Sequence, residues 1–572
     1  MVHTLIRIFV PEPATLYLMK SKSMKRHILI LCGIAVSLAS MAQPRVNLTP
    51  RPKSMTTGEG ELVLQTGFRV GYGNLPDSLA REAARFVSDI NASTPLQAMA
   101  TNSTHGTIQM EVDGTLSEEG YSLEINRQGA TLKARTTAGF FYGFQSLKKI
   151  LPPNVMARVR DGQTGRYALP ALRIEDEPRF GYRGFMLDVS RHFFPLEEIK
   201  RMLDVMAAYK LNVFHWHLTD DQGWRAEIKR YPRLTQVGSV ARDVRLNPMD
   251  RGTYWLGQPY THYYTQEEMR EVVRYAADRH IQVLPEIDMP GHFCAAMASY
   301  PEFSCTPEGP HSVQTNQGGV YADVMNVSNP GAVEFAKGIL TELMEIFPYP
   351  YIHIGGDECP TSAWEKNAEC QERYRQLGLT SYRQLQSHFI QEISNHVKAH
   401  GRQLIVWNES VTAKGADLDI LASTGATVMS WHPCQQGART AAELGLNTII
   451  TEYHTAQGGY YINRKQDPND KYAAAGAGDD TVEGTYNYVP VPDGVPSELR
   501  PRYIGVQGTF WTEWVSDGPY LEYLALPRLI ALAEAGWTPQ ELKDFEDFRQ
   551  RMALDRKMLD YNHYEYGKHI FR

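Results

Sequence analysis

Near the middle of the chain, Gly355-Gly356-Asp357-Glu358 follow the short apolar run Ile352-His353-Ile354. Two adjacent carboxylates suit acid and base work. At close range they push each other's pKa values apart, so one can hold a proton while the other stays ionised. The apolar run is too short for a surface helix and reads as a strand, and the glycines let a ligand or another segment approach the backbone closely. Successive strand side chains point to opposite sides, so Asp357 and Glu358 can address different atoms of one substrate if the backbone turns there. An acidic pair capping the next helix is the alternative reading of the same residues.

The elements around this pair bear on that choice. Strand patterns occur at Phe185–Asp188, Asn212–Leu218, Ile281–Ile287, Tyr351–Ile354, Gln403–Trp407, Thr427–Trp431, Asn447–Thr451 and Ile504–Phe510. Helical patterns lie between them. Leu196, Ile199, Leu203 and Met206 form one apolar face after Pro195, and Thr265 with Glu268 forms a capping box ahead of Met269, Val272, Val273 and Ala276. Eight strands with helix-length connections, and no Gly-rich dinucleotide fingerprint, predict an α/β fold of the (β/α)8 TIM-barrel class rather than a doubly wound sheet.

In such a barrel the polar residues converge. Asp188 and Arg191 follow the first strand, His217 and Asp220 the second, Asp288 and His292 the third, Asp357 and Glu358 the fourth. Trp407, Trp431 and Trp511 end the fifth, sixth and eighth. All then surround the C-terminal mouth, where barrel active sites are built. Singly, each has a packing explanation, since a strand-end tryptophan is usually core and Asp188 can pair with Arg191. Their coincidence at one end of several strands is what points to a site.

The 572 residues exceed one ordinary core. Residues 43–175 read as a small α/β (α+β) domain, with strands at Glu61–Val70, Thr107–Val112, Tyr121–Ile125 and Ala130–Arg135 and helices at Ser78–Ile90 and Thr137–Ile150. Pro153–Pro178, with its prolines and glycines, is read as the boundary, and residues 176–572 as the barrel with C-terminal helices. Residues 1–42 carry an export signal. Met24-Lys25-Arg26-His27 is followed by the apolar run Ile28–Leu38 and by Ser40-Met41-Ala42, predicting a start at Met24, cleavage after Ala42 and a periplasmic or extracellular product. That run is too short for a stable membrane span. Cys32 follows Leu31 rather than a small residue, which argues against lipidation. The other cysteines, Cys294, Cys305, Cys359, Cys370 and Cys434, match no zinc spacing; Cys294 with Cys305 or Cys359 with Cys370 are candidate pairs. Hydrophobic residues at 42%, charged residues at 22% and a net charge of -7 fit a globular protein and give no basic field for nucleic acid.

Four stretches carry a resemblance to a known family: Arg183-Gly184-Phe185-Met186-Leu187-Asp188-Val189-Ser190-Arg191-His192, Asn212-Val213-Phe214-His215-Trp216-His217-Leu218-Thr219-Asp220-Asp221, Pro285-Glu286-Ile287-Asp288-Met289-Pro290-Gly291-His292 and His353–Glu358. In this order they resemble the family 20 glycoside hydrolases, the β-N-acetylhexosaminidases. The resemblance runs from about Pro44 to past Trp537 and implies an exo-acting, retaining hydrolase of terminal β-linked N-acetylglucosamine or N-acetylgalactosamine, with a glycan as partner and no cofactor or metal. It implies substrate-assisted catalysis, in which the sugar's own 2-acetamido oxygen attacks the anomeric carbon. Glu358 would then be the acid and base, needing a raised pKa, and Asp357 the ionised support of the acetamido N–H. The resemblance further places Arg191 and Glu513 on ring hydroxyls, Tyr461 on the acetamido oxygen, and Trp407, Trp431 and Trp511 around the acetamido group. Asp220 and His292 would support the acid, with Asp288 nearby. Asn463 stands where many relatives have Asp. Tyr486 or Tyr488 is expected either at the mouth or in a plain loop. Two other functions fit some of these residues: a metal-dependent hydrolase using His215, His217, Asp220 and His292, and a glycan-binding protein without turnover.

Overall fold

The structure is a computed structural model, described here over residues 46–162, 165–315, 318–467 and 480–571. The export signal expected over residues 1–42 lies outside the described residues. The first domain is a seven-stranded mixed sheet of β1 (Ser54–Val63), β2 (Arg69–Gly71), β3 (Met99–Thr101), β4 (Ile108–Val112), β5 (Tyr121–Ile125), β6 (Ala130–Ala134) and β7 (Ala168–Asp176), in the order β1-β7-β5-β6-β4-β2-β3. Helices α1 (Asp77–Ser93) and α2 (Thr137–Ile150) pack together through stacked Phe86 and Phe144 rings, 4.6 Å apart.

Two sequence expectations change here. The single strand expected over Glu61–Val70 is two, because Gly67 adopts a left-handed φ of 78° that breaks the extended chain between β1 and β2. The stretch read as a boundary, Pro153–Pro178, contains β7, hydrogen-bonded to β1 on one side and β5 on the other. Leu169, Ala171, Leu172, Ile174 and Asp176 are its buried residues. Its Pro170 sits beside a register shift in β1, where a missing N–H is tolerated.

The second domain is a closed parallel barrel, as predicted. Its strands are β8 (Tyr182–Asp188), β9 (Val213–His217), β10 (Gln282–Glu286), β11 (Tyr351–His353), β12 (Gln403–Trp407), β13 (Thr427–Ser430), β14 (Thr448–Ile450) and β15 (Tyr503–Phe510), and β15 pairs with β8 to close the ring. Helices α3 (Leu196–Ala208), α4 (Gln266–Ala277), α5 (Pro330–Ile346), α6 (Arg383–Ala399), α7 (Leu418–Thr424), α8 (Cys434–Glu443) and α9 (Arg528–Trp537) connect or flank the strands. The predicted capping box forms at the start of α4, with Thr265 and Glu268 each satisfying the other's backbone N–H. Among the described residues, no helix is long and apolar enough to cross a membrane.

Register sets what the mouth contains. Asp188 pairs with His217, His217 with Glu286, and Glu286 with His353, so four polar residues form one band across adjacent strands. Below the band the interior is filled by Tyr182, Val213, Leu284, Ile405, Met429 and Ile449. The lining therefore changes from apolar to ionisable along the barrel axis. Cys294, Cys305, Cys359, Cys370 and Cys434 are free and buried; neither candidate pair forms, and Cys305 instead hydrogen-bonds Cys370.

Candidate active site

The carboxylate pair stands where β11 leaves the barrel, on a backbone bent by positive φ values at Gly355 (66°), Gly356 (91°) and Glu358 (41°). Gly355 is required for two reasons. Its φ lies in the left-handed region, and a Cβ there would come within 1.8 Å of Asp288 Oδ1. The close approach lets the Gly356 N–H donate to Asp288 Oδ1 at 3.1 Å. The turn separates the two carboxylates by environment: Asp357 is buried, with 7% of its surface exposed, while the Glu358 side chain is 42% exposed.

A cavity of about 430 Å³ opens above them. Arg191, His292, Asp357, Glu358, Trp407, Trp431, Tyr461, Asn463, Trp511 and Glu513 all line it, together with His432, Tyr453, Arg464 and Trp514. Asp220 and Asp288, also named from the sequence, lie behind this lining and are fully buried. Tyr486 and Tyr488 do not line it. Their hydroxyls donate to Glu534 and Glu452 in the protein interior, which settles them as packing residues. A larger cavity of about 670 Å³ lies at the opposite end of the barrel, among Tyr182, Tyr349, Tyr351 and Tyr503. It has no carboxylate in its lining, whereas Asp357, Glu358 and Glu513 line the smaller one.

A charge relay runs behind the pair. His292 Nε2 is 3.3 Å from Glu358 Oε2, and its Nδ1 is 3.2 Å from Asp220 Oδ1 and 3.0 Å from Asp221 Oδ2. Asp220 in turn meets Arg191 Nη2 at 2.7 Å and His217 Nε2 at 3.0 Å. His217 Nδ1 continues to Glu286 at 2.5 Å. Glu286 also accepts the indole N–H of Trp407 at 2.8 Å, and it lies 3.0 Å from His215 Nε2 and 2.9 Å from His353 Nδ1, which accepts the Gly355 N–H. One buried carboxylate therefore lies among three imidazoles and holds His217 and a wall of the cavity by hydrogen bonds.

The remaining walls are fixed in the same manner. Asp188 accepts the backbone N–H groups of Ser190, Arg191 and Thr512, tying the loop after β8 to the loop after β15. Arg191 is thereby held 3.9 Å from Glu513 and over the Trp511 ring. Trp431 donates its indole N–H to Glu409 at 2.9 Å and stacks on Tyr461, with ring planes 16° apart. Tyr461 is positioned by a short bridge to Thr509 in β15. Sequence reasoning missed Asp221 and Glu409. Their signals were faint, an acid directly after Asp220 and an acid two residues beyond Trp407.

The ionisation pattern reverses the sequence expectation. Burial, with the Glu286 and Glu358 charges nearby, pushes the Asp357 carboxyl up. Asp288 beneath it is pushed far up by burial and by Asp357. Glu358 was expected to be raised, yet its hydrogen bond to His292 lowers it. Burial would lower His292, but Asp220, Asp221 and Glu358 outweigh that and hold it well above the usual histidine range. Burial would likewise raise Asp220, and Arg191 and His292 hold it well below the carboxylate range. The raised His292 imidazole thus stands beside the lowered Glu358 carboxyl, 3.3 Å away.

Among the described residues, four groups bring three possible cation ligands together: His215 with Glu286 and His353, His217 with Asp220 and Asp288, and Asp220 with Asp221 and His292, all buried, and His292 with Asp357 and the exposed Glu358. His215, His217, Asp220 and His292 do not form one such set. In His217 and His292 both ring nitrogens are already directed at carboxylates, and these contacts leave neither a free lone pair aimed at a common point.

The comparisons with known proteins agree with this geometry. Residues 180–540 match the family described as "Glycosyl hydrolase family 20, catalytic domain", and residues 45–177 match its domain 2. A β-hexosaminidase of Porphyromonas gingivalis is 39% identical over 78% of this chain, which spans 55% of that protein's length. A β-hexosaminidase of Vibrio furnissii is 33% identical over 86% of this chain and 76% of its own. Among solved structures, an exo-β-N-acetylglucosaminidase of Vibrio harveyi in complex with N-acetylglucosamine superposes with a TM-score of 0.77, at 31% identity, covering 91% of this chain and 78% of that one. The chain belongs to glycosyl hydrolase family 20 and is a glycoside hydrolase of the β-hexosaminidase type.

Proposed function

We propose that the chain removes terminal, non-reducing β-linked N-acetylhexosamine from glycans, with retention of configuration and with the substrate's acetamido group as nucleophile. The observation that carries this reading is Asp357 Oδ1. It is a buried acceptor with no hydrogen-bond partner among the described residues, in a cavity walled by Trp407, Trp431, Trp511 and Tyr461. An unpaired buried acceptor beside apolar aromatic faces matches an acetamido group, whose N–H needs an acceptor and whose methyl needs a dry wall.

The geometry supports the following steps. Arg191 and Glu513 hold ring hydroxyls, the forked guanidinium taking two neighbouring oxygens. A bound sugar covers the exposed face of Glu358 and removes water there, which favours passing the proton from His292 Nε2 to Glu358. Glu358 then protonates the glycosidic oxygen as that bond breaks, while the acetamido carbonyl oxygen bonds to the anomeric carbon. The resulting oxazolinium is positive, and Asp357, accepting its N–H, balances the charge. Tyr461 orients the carbonyl oxygen. Water next attacks the anomeric carbon, Glu358 takes its proton, and the acetamido group is restored. Two inversions give net retention.

Hydrolysis of para-nitrophenyl β-N-acetylglucosaminide and of the matching β-glucoside tests the reading. Turnover is expected for the first and none above background for the second. Binding of the acetamido sugar without turnover would contradict it.

A further inference from the structure

Two cysteines that take no part in the steps above meet in the core. Cys305 lies beyond His292 in the segment after β10, just past the turn Pro301–Phe303. Cys370 lies beyond Glu358 in the segment after β11, in the first turn of the helix Ala368–Gln376. One side chain fixes both backbones. The Asn367 amide donates from Nδ2 to the Cys305 carbonyl at 2.9 Å and accepts the Cys370 N–H on Oδ1 at 3.0 Å. The thiols then join in a chain of hydrogen bonds, Cys305 to Cys370, and Cys370 Sγ to Asn326 Oδ1 at 3.2 Å. Cys359, which directly follows Glu358, packs in the same buried cluster with Val324, Trp364 and Leu385.

The free thiols are not chemically alike. Burial raises the Cys294 and Cys434 thiols and pushes Cys359 up to about 12, whereas the hydrogen bond from Cys305 lowers Cys370. Thiolates carry thiol–disulfide exchange, so among these residues Cys370 is the one suited to attack first, with Cys305 in contact to follow. Cys294 is engaged elsewhere, donating to the Asp323 carbonyl, and Cys434 donates to the Ser430 carbonyl. A bond between Cys305 and Cys370 would join positions about 65 residues apart, and a closed loop of that size removes many unfolded conformations.

We propose that Cys305 and Cys370 close to a disulfide as the chain folds in an oxidising medium, a covalent staple between the segment that carries His292 and the segment that carries Glu358. The Cys370 thiolate attacks an external small-molecule disulfide, such as oxidised glutathione, forming a mixed disulfide and releasing one thiolate. The Cys305 thiolate then attacks Cys370 Sγ and releases the second. Two protein thiols are oxidised, one external disulfide is reduced to two thiols, and the two protons pass to the released thiolates. Both cysteines are buried in the folded chain, so the exchange belongs to the folding chain and its product is shielded from reductants afterwards.

The test refolds the full chain from guanidinium in oxidised or in reduced glutathione, alkylates the remaining thiols under denaturing conditions, and maps the unreduced peptides by mass spectrometry. Cleavage after glutamate resolves the choices, because Glu302 separates Cys294 from Cys305, and Glu365 and Glu369 separate Cys359 from Cys370. The oxidised sample should give one crosslinked peptide, Cys305 with Cys370, and alkylated Cys294, Cys359 and Cys434. Its melting temperature should exceed that of the reduced sample by roughly 5 °C or more. Cys305→Ser and Cys370→Ser should each abolish both the crosslink and the difference in melting temperature, and Cys359→Ser should keep both. Alkylated Cys305 and Cys370 in the oxidised sample, a crosslink to Cys359 or Cys294 in their place, or a crosslink that leaves the melting temperature unchanged overturns the proposal. Should the chain not refold, the same map of chain exported to the periplasm of an expression host decides by the same peptides.

Discussion

The His292 ring stands between two kinds of carboxylate, Asp220 and Asp221 behind it and Glu358 in front. The Asp pair holds the imidazole well above the usual histidine range, and the hydrogen bond from His292 lowers Glu358. Glu358→Gln breaks the proton path at its last atom. It should lower kcat by roughly a hundredfold to ten-thousandfold on substrates with poor leaving groups, and much less on activated aryl glycosides, which need little protonation. Equal losses on both, in steady-state assays, would remove Glu358 as the acid. Asp357 offers a test of opposite sign. Its folded pKa is raised above the unfolded value, so between the two the folded chain keeps a proton that the unfolded chain has released. Stability from this group therefore falls as pH rises through that window. Asp357→Asn removes the titration, and its melting temperature near neutral pH should equal or exceed that of the wild type while turnover drops by roughly a hundredfold or more. A clearly lower melting temperature, or unchanged turnover, would contradict the assignment. The pair was legible in the sequence, but its ionisation was not. Which acid is buried depends on the turn at Gly355-Gly356, and what lowers Glu358 is a histidine from a different strand.

Strands β9, β11 and β12 each send one or more polar side chains to the Glu286 carboxylate of β10. This cluster joins barrel closure to the shape of the cavity, because the same carboxylate holds Trp407. Glu286→Ala leaves His217 next to Asp220 without its second carboxylate and frees the Trp407 indole. It should destabilise the fold by about 3–5 kcal/mol, as breaking a buried charge pair does. Urea melts would measure this, and a loss below about 1 kcal/mol would show that the cluster carries little of the barrel's stability. The barrel strands could be read because each is a short apolar run ending at a polar residue, a pattern that local sequence carries. β7 was hidden for a reason of composition: prolines and glycines around it resemble a linker, while its place between β1 and β5 depends on pairings more than forty residues away on one side and about a hundred on the other. Glu409 and Asp221 were hidden because a second layer of support is defined by contacts across strands, which no local spacing encodes.

At the scale of the whole chain, the first domain docks on the end of the barrel away from the mouth. Asp176, the last residue of β7, accepts from Tyr121, from Lys210 after α3 and from Trp537 at the end of α9. Glu119 forms a two-pronged pair with Arg183 at the start of β8. Neither contact approaches the cavity, so the domain supports the barrel while the chemistry stays at the opposite face. That face brings together a buried unpaired acceptor, an acid fed by a histidine and a tryptophan enclosure, and the central claim is that the nucleophile comes from the sugar. The most direct measurement is kcat for aryl N-acetylglucosaminides whose acetyl group carries none, one, two or three fluorines. Fluorine withdraws electrons from the carbonyl oxygen and leaves the leaving group unchanged. The account predicts a steep, monotonic fall in kcat with each added fluorine. A kcat independent of fluorination, with the glycosidic bond still broken in the slow step, would mean that an enzyme carboxylate attacks instead.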